Sequence, residues 1–297
     1  VNASTIVAAI GFGVVTASIL SLGSVGFTLQ YGMSNVFNLA FAGVMGGAEY
    51  VALAINHAGL NIWPSMALAA LFGGAASAAL NKFVYMPFIR RGVKTFGMVI
   101  ITLSVWTIIQ YVILAIVGAT ASSYQLPSKH LYVVGPIRIN GIQIILIVIA
   151  VVALALLEVF LRRTLWGKAI RGAATNAPLA RASGINVSRI MDATWFISGL
   201  FAGIAGVALA MNVASFTYTT SGNFLVVLVA AAILGGVGRP SGAMFGALIV
   251  GIATEVSAAI FNPAYKDVTA FVLLALVLVA KPAGLFPEAV QRKEVVL

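Results

Sequence analysis

Long stretches of this chain carry no charged side chain: residues 1–48, 50–81, 95–128, 139–157, 193–238 and 268–280 are free of Asp, Glu, Lys and Arg. A helix rises about 1.5 Å per residue and a bilayer's hydrocarbon core is about 30 Å thick, so roughly 20 residues make one crossing. Several of these runs therefore hold two. Inside hydrocarbon every backbone N–H and C=O needs a partner within the protein, which leaves helices or closed barrels. The runs are continuously apolar rather than alternating, and that excludes a barrel. Apolar length read against polar punctuation predicts spans near 6–29, 35–56, 64–86, 96–118, 141–161, 192–213, 223–238, 241–261 and 267–285. The expected fold is all-α, a polytopic transmembrane helix bundle of about nine spans within a range of eight to ten. It reads as one transmembrane domain over residues 1–297.

Composition agrees with a membrane protein, at 61% hydrophobic and 8% charged, where a soluble domain has about a quarter of its residues charged. A net charge of +10 would suggest nucleic acid in a soluble protein, but here placement matters more, and no nucleic-acid partner is expected. Lys82, Arg90, Arg91, Lys94, Arg162, Arg163, Lys168, Arg171, Arg181, Arg189, Arg239, Lys281, Arg292 and Lys293 all fall on one side of the predicted spans. The opposite loops hold only Lys129, Arg138 and Lys266, beside the interface-type residues Trp63, Tyr124, Tyr132 and Tyr218. The positive-inside rule makes the basic side cytoplasmic, and nine spans put the N-terminus outside. No basic residue precedes the first apolar run, so Ile6 onward reads as a retained span rather than a signal peptide. The absence of cysteine excludes disulfides, thiolate metal sites and a thiol nucleophile.

A polar route through an apolar slab is usually built from helices interrupted at Gly or Pro, whose freed backbone groups line a cavity. Two segments have that composition: Tyr31 to Asn38, running on to Gly43, and Gly235 to Gly242. Each also reads as a plain turn between helices, most simply for the second, with Arg239-Pro240 at its centre. Asn35 and Asn38 would be costly against lipid. Glu49 and Glu255 are the carboxylates set most clearly inside spans. They read either as functional acids or as paired packing acids, while Glu158 lies close enough to the membrane surface to snorkel. Gly199 and Gly203, four apart, read as a packing face. Gly236 to Gly242 lacks the Lys of a nucleotide-binding GxxxxGK[ST] loop, so the chain is not expected to hydrolyse ATP itself. His57 and His130 are isolated, with no HExxH and no carboxylate cluster, so neither a metal site nor an enzyme is expected.

Residues 162–191 form the longest segment on the basic side, and they are patterned. Asn176 suits an N-cap, Pro178 falls in the first turn where its missing N–H costs nothing, Leu179 to Ser183 continue the helix, and Gly184 supplies a left-handed stop. Such a helix is too short to stand alone and should dock on something. It reads as a basic connector lying on anionic headgroups or as a plug inserted into a cytoplasmic partner.

The run Gly167 to Asn186, GKAIRGAATNAPLARASGIN, resembles the coupling loop of the branched-chain amino-acid permeases of ABC importers, the LivH/LivM type. Asn38-Leu39-Ala40-Phe41-Ala42-Gly43 with Gly47-Ala48-Glu49-Tyr50 is similar to that family's early Gly-rich motif. Ala232 to Ala243 is similar to its late one, and Tyr265-Lys266-Asp267 through Lys281 to Leu285 to its last span. Length and closing segment look closer to LivH. Thr175-Asn176 stand where the family commonly has acidic residues, and Phe41 where it often has His. The resemblance implies a permease subunit without its own ATPase site, moving branched-chain or related amino acids or small polar solutes by alternating access. It would lie in the cytoplasmic (inner) membrane of a prokaryote, surrounded by lipid. It implies as partners a second homologous permease subunit, two cytoplasmic ATPase subunits that bind ATP and Mg, and an extracytoplasmic solute-binding protein; no cofactor is expected in this chain. Arg171, Asn176, Pro178, Leu179, Arg181 and Gly184 would make the ATPase contact. Asn35, Asn38 and Glu49, with Thr217, Tyr218 and Thr220 near the outer mouth, are the candidate solute path. The competing reading is an ion-coupled secondary transporter with Glu49 and Glu255 as proton carriers.

Overall fold

A computed structural model describes residues 2–126, 131–281 and 284–286. Lys129, His130, Arg292 and Lys293, named above, and residues 282–283 of the closing segment lie outside the described residues. The chain runs α1 (Ala3–Ser34), α2 (Phe41–His57), α3 (Ile62–Arg90), α4 (Thr95–Val117), β1 (Leu131–Val134), β2 (Ile137–Asn140), α5 (Gly141–Arg163), α6 (Leu165–Thr175), α7 (Ala177–Ala182), α8 (Val187–Val213), α9 (Thr220–Gly235), α10 (Pro240–Ile260) and α11 (Lys266–Ala280).

Each predicted span falls on a helix. Seven of these are long and apolar enough to cross a membrane: α1, α3, α4, α5, α8, α10 and α11 with its 3-10 lead-in, Pro263–Tyr265. The other two, α2 and α9, have 17 and 16 residues. At about 1.5 Å per residue they measure roughly 25 Å, short of the hydrocarbon core.

The structure departs from the sequence reading in three places. α1 does not end before Tyr31 but continues to Ser34, whose hydroxyl bonds back to the Gln30 carbonyl at 2.6 Å. The chain breaks only at Asn35, which takes the left-handed conformation at φ 52 that Asn tolerates. Gly32 is helical, and its missing side chain serves approach instead: a Cβ there would lie 3.2 Å from the Gly238 Cα. Second, β1 and β2 pair antiparallel, Leu131 opposite Asn140 and Val134 opposite Ile137, around a two-residue Gly135-Pro136 turn with Gly135 at φ 61. Third, the basic segment holds two helices rather than one. α6 precedes the predicted α7 and turns Gly167, Ile170 and Ala173 inward.

α1 is the central helix, buried without interruption from Ile19 to Gln30. Small residues set its contacts: a Cβ on Gly13 would lie 2.8 Å from the Ile252 Cα, and one on Gly251 would lie 2.6 Å from the Ala17 Cα. α3 and α8 meet the same way, and Gly203 sits so close to α3 that a Cβ would lie 2.7 Å from the Ala70 Cα. The expected packing face is thus a helix–helix seam. Lipid tails are as apolar as the side chains, so close van der Waals contact rather than water exclusion holds such seams. α4 and α11 bury few side chains, Met98 and Thr102 on one and Ala270 on the other.

Candidate functional site

The basic ends of α1, α3 and α8 enclose a polar network that begins with Gln30. Its Nε2 donates to the Ser77 hydroxyl at 2.7 Å, and its Oε1 accepts from Asn38 Nδ2 at 2.9 Å. The Asn38 carbonyl oxygen in turn accepts from the Tyr85 hydroxyl at 3.2 Å. All four side chains are 1% exposed or less, so lipid and water are replaced by one another's dipoles. α3 widens into a π-turn over Leu80–Tyr85, which brings both Asn81 and Tyr85 inward. Asn81 Nδ2 donates to Asp192 at 2.8 Å, and the Tyr85 ring packs at a tilt against Trp195 with centroids 5.2 Å apart. Asn38 is therefore a locked node, whereas Asn35, three residues earlier, is exposed.

Glu49 lies halfway along α2 and is fully buried. The Ser221 hydroxyl, in the first turn of α9, donates to its Oε1. Glu49 Oε2 has no partner among the described residues, and neither does the adjacent Tyr50 hydroxyl. A buried carboxyl with one oxygen unpartnered is the kind of costly group that a packing role alone does not require. Above it Tyr124 donates to the Glu49 carbonyl at 2.9 Å, and the Phe216 ring packs between Tyr50 and Tyr124 at centroid distances of 5.5 and 5.0 Å. Ser122 and Phe216 exchange backbone hydrogen bonds at 2.8 and 3.0 Å, joining the segment after α4 to the segment after α8. Gln125 N–H donates to the Asn56 side chain at 2.8 Å.

Thr217, Tyr218 and Thr220 are half-buried in that second segment. The Thr220 hydroxyl accepts from the Thr217 N–H at 2.9 Å, and the Thr217 and Thr219 hydroxyls pair at 3.0 Å. They form the entry turn of α9, one residue from Ser221 and so within a turn of Glu49's partner. Glu255 takes the paired form of its two readings, bonded to Lys266 Nζ at 2.6 Å and to the Thr16 hydroxyl at 2.9 Å. Glu158 pairs with Arg162 one turn along α5.

The two Gly-rich segments meet at the basic end, where Gly32 faces Gly238. A cavity of about 510 Å³ opens there, lined by Gly32 and Met33, by Arg162 and Arg171, and by Arg239 and Pro240. The Arg171 guanidinium donates to the Leu161 carbonyl, fastening α6 beneath α5. α7 carries its predicted caps: the Asn176 side chain accepts from the Leu179 N–H at 3.0 Å, Pro178 stands in the first turn, and Gly184 has φ 82. Ala180 is buried, while Leu179 is 63% exposed and Arg181 also faces out.

The sequence reading missed Gln30, Ser77, Asn81, Tyr85 and Asp192. Their signal was present as polar side chains in or beside apolar runs, the same criterion that picked out Asn38.

Residues 9–278 match the family model described as branched-chain amino acid transport system, permease component. The high-affinity branched-chain amino acid transport permease LivH of Escherichia coli (strain K12) is 30% identical, over 92% of each chain. BraD of Pseudomonas aeruginosa, with the same description, is 29% identical over 92% of this chain and 93% of its own. The probable LivH of Methanocaldococcus jannaschii is 28% identical over 92% and 90%. Taken with a bundle of long apolar helices and two short ones meeting at a buried acid, these matches mean that the chain is a multi-pass membrane protein that belongs to the family of branched-chain amino acid transport permeases, the transport component of such a system and not its ATPase.

Proposed function

We propose that this chain is one of two homologous permease subunits enclosing the path of an ATP-driven importer. Its cargo is branched-chain or closely related amino acids, the class for which the relatives LivH and BraD are named. The seven long helices cross a prokaryotic inner membrane, and α2 and α9 complete two further crossings together with the non-helical segments that lead into them; residues 1–297 form one permease domain, and the segment 162–191 lies in the cytoplasm, the side its basic residues favour. The observation that carries the reading is the Ser221–Glu49 hydrogen bond, which joins the two short helices through a buried acid. Short helices end within the membrane's depth, and their unpaired termini are where transporters expose polar groups to cargo. On this reading Thr217, Tyr218 and Thr220 form the outer approach and Glu49 the occluded middle. Asn35 lies at the inner exit, and Asn38 holds the α1–α2 break in shape.

The motor contact is α7. Leu179 and Arg181 project outward from a capped helix whose other face is anchored by Ala180, as suits a plug seated in an ATPase groove. Arg171, Asn176, Pro178 and Gly184 fix its position and ends. ATP and Mg bind the two ATPase partners. Closure of those partners would push α7, and α6 would carry the push to α5 and the basic-end cavity. A solute-binding protein delivers cargo on the other face.

The test is ATP-driven leucine uptake by the complex reconstituted from this chain and its partners. Leu179→Asp together with Arg181→Asp is expected to abolish uptake while the permease pair still assembles. Unchanged uptake overturns the coupling assignment.

A further inference from the structure

At the end of the bundle opposite the basic loops, α1, α8, α9, α10 and α11 surround a second cavity of about 340 Å³. Of the solute-path residues named above only Thr220 lines it. Ile19, Leu209 and Phe224 give it apolar surface, Asn212 and Asn223 add polar groups beside them, and Glu255, Lys266 and Asp267 supply its charges. Its volume lies at the low end of the roughly 300–1,000 Å³ usual for small-molecule sites, which suits a metabolite of a few carbons.

The charged groups are unevenly used. Lys266 and the Thr16 hydroxyl both bond to Glu255 Oε1, so among the described residues Oε2 takes no hydrogen bond. The Glu255 side chain is 15% exposed and that of Lys266 is 40% exposed, which sets the pair at the cavity wall rather than behind it. A lone anion or cation entering would divert one member of the pair and leave the other uncompensated, which is costly in a partly dry site. A molecule bearing both charges brings its own compensation. It can open the Glu255–Lys266 pair and replace it with two pairs, at no change in net charge.

We infer that this cavity is a receiving site for a zwitterionic amino acid with an aliphatic side chain. Its carboxylate meets Lys266, its ammonium meets Glu255 with Asp267 nearby, and its hydrocarbon lies on the apolar surface at Phe224. The inference rests on the importer reading for its cargo and for the face that receives it. It adds a recognition step within the permease itself, one that checks both charges of the cargo before the occluded Glu49 level.

The experiment uses the assembled transporter in nanodiscs without the binding protein, with radiolabelled leucine as probe. Two competitors each lack one charge: leucinamide, which has no carboxylate, and 4-methylpentanoate, which has no ammonium. Leucine is expected to bind, and each competitor to displace it at least about tenfold more weakly than unlabelled leucine, the loss of one charged hydrogen bond. Glu255→Gln and Lys266→Met are each expected to weaken leucine binding about tenfold, and the exchanged pair Glu255→Lys with Lys266→Glu to recover part of it. Equal displacement by unlabelled leucine and both competitors overturns the inference without needing any variant to fold, and so does undiminished binding by both single variants. ATP-driven leucine uptake by the unaltered complex is measured alongside. Normal uptake with either overturning result refutes this site alone, whereas no ATP-driven uptake refutes the importer reading beneath it.

Discussion

Replacing Gln30 by Leu probes the polar network at its centre, because it puts a shorter, branched hydrocarbon in place of the amide and removes both of its hydrogen bonds. Gln30 gives one bond to Ser77 at 2.7 Å and takes one from Asn38 at 2.9 Å, at 1% exposure. The Ser77 hydroxyl can turn back onto a carbonyl of its own helix, a common resort of Ser within helices. Asn38 keeps the bond to its oxygen from Tyr85 but loses the partner of its amide. Two interhelical bonds inside a membrane protein average about 0.6 kcal/mol each, and one stranded buried donor adds about 1–3 kcal/mol. The expected loss is therefore about 2–4 kcal/mol, read as a fall of several degrees in the unfolding temperature of the purified protein. Because Asn38→Leu removes the other half of the same bond, the double variant is expected to cost clearly less than the sum of the two singles. An unchanged melting temperature for Gln30→Leu, or strict additivity in the double variant, refutes the network.

Gly203→Val places a side chain where even a Cβ lies 2.7 Å from the Ala70 backbone. Expression of monodisperse protein, followed by size-exclusion chromatography, is expected to collapse, and a normal yield contradicts the seam between α3 and α8. Ala214 sits at φ 64, a conformation costly for any residue with a Cβ. Ala214→Gly is expected to raise stability by about 1 kcal/mol in thermal unfolding, and a decrease would show that the turn is not strained. Asn176→Ala removes the cap on α7, worth about 1 kcal/mol locally. ATP-driven uptake should fall more than the global melting temperature does; equal falls count against a special role for that helix.

The helices and the coupling segment were legible because their signals are local. Charge-free runs mark spans by length alone, and Asn176, Pro178 and Gly184 each act within a turn of their own position. What stayed hidden was set by partners distant in sequence. Gln30 and Ser77 are 47 residues apart, and Thr16 and Glu255 are 239 apart, so nothing in the chain's order announces that either pair meets. Glu255 is visible as an acid inside a span, but its partners Lys266 and Thr16 are not. The end of α1 lies past the predicted span because Gly32, which has the composition of a break, serves contact with Gly238 by its small size. The hairpin was overlooked because Tyr132 to Arg138 carries only a few alternating residues next to a much stronger helical pattern.

The backbone exchange between Ser122 and Phe216 also limits how the bundle can open on that side. Two stretches nearly a hundred positions apart are sewn into one strap, and Tyr124 buttons the strap to the Glu49 carbonyl. Neither stretch can swing away by itself without stranding its N–H and C=O groups. Daylight therefore reaches the acid beneath only when the whole strap lifts, so a single crosslink from either stretch to α2 would hold down both.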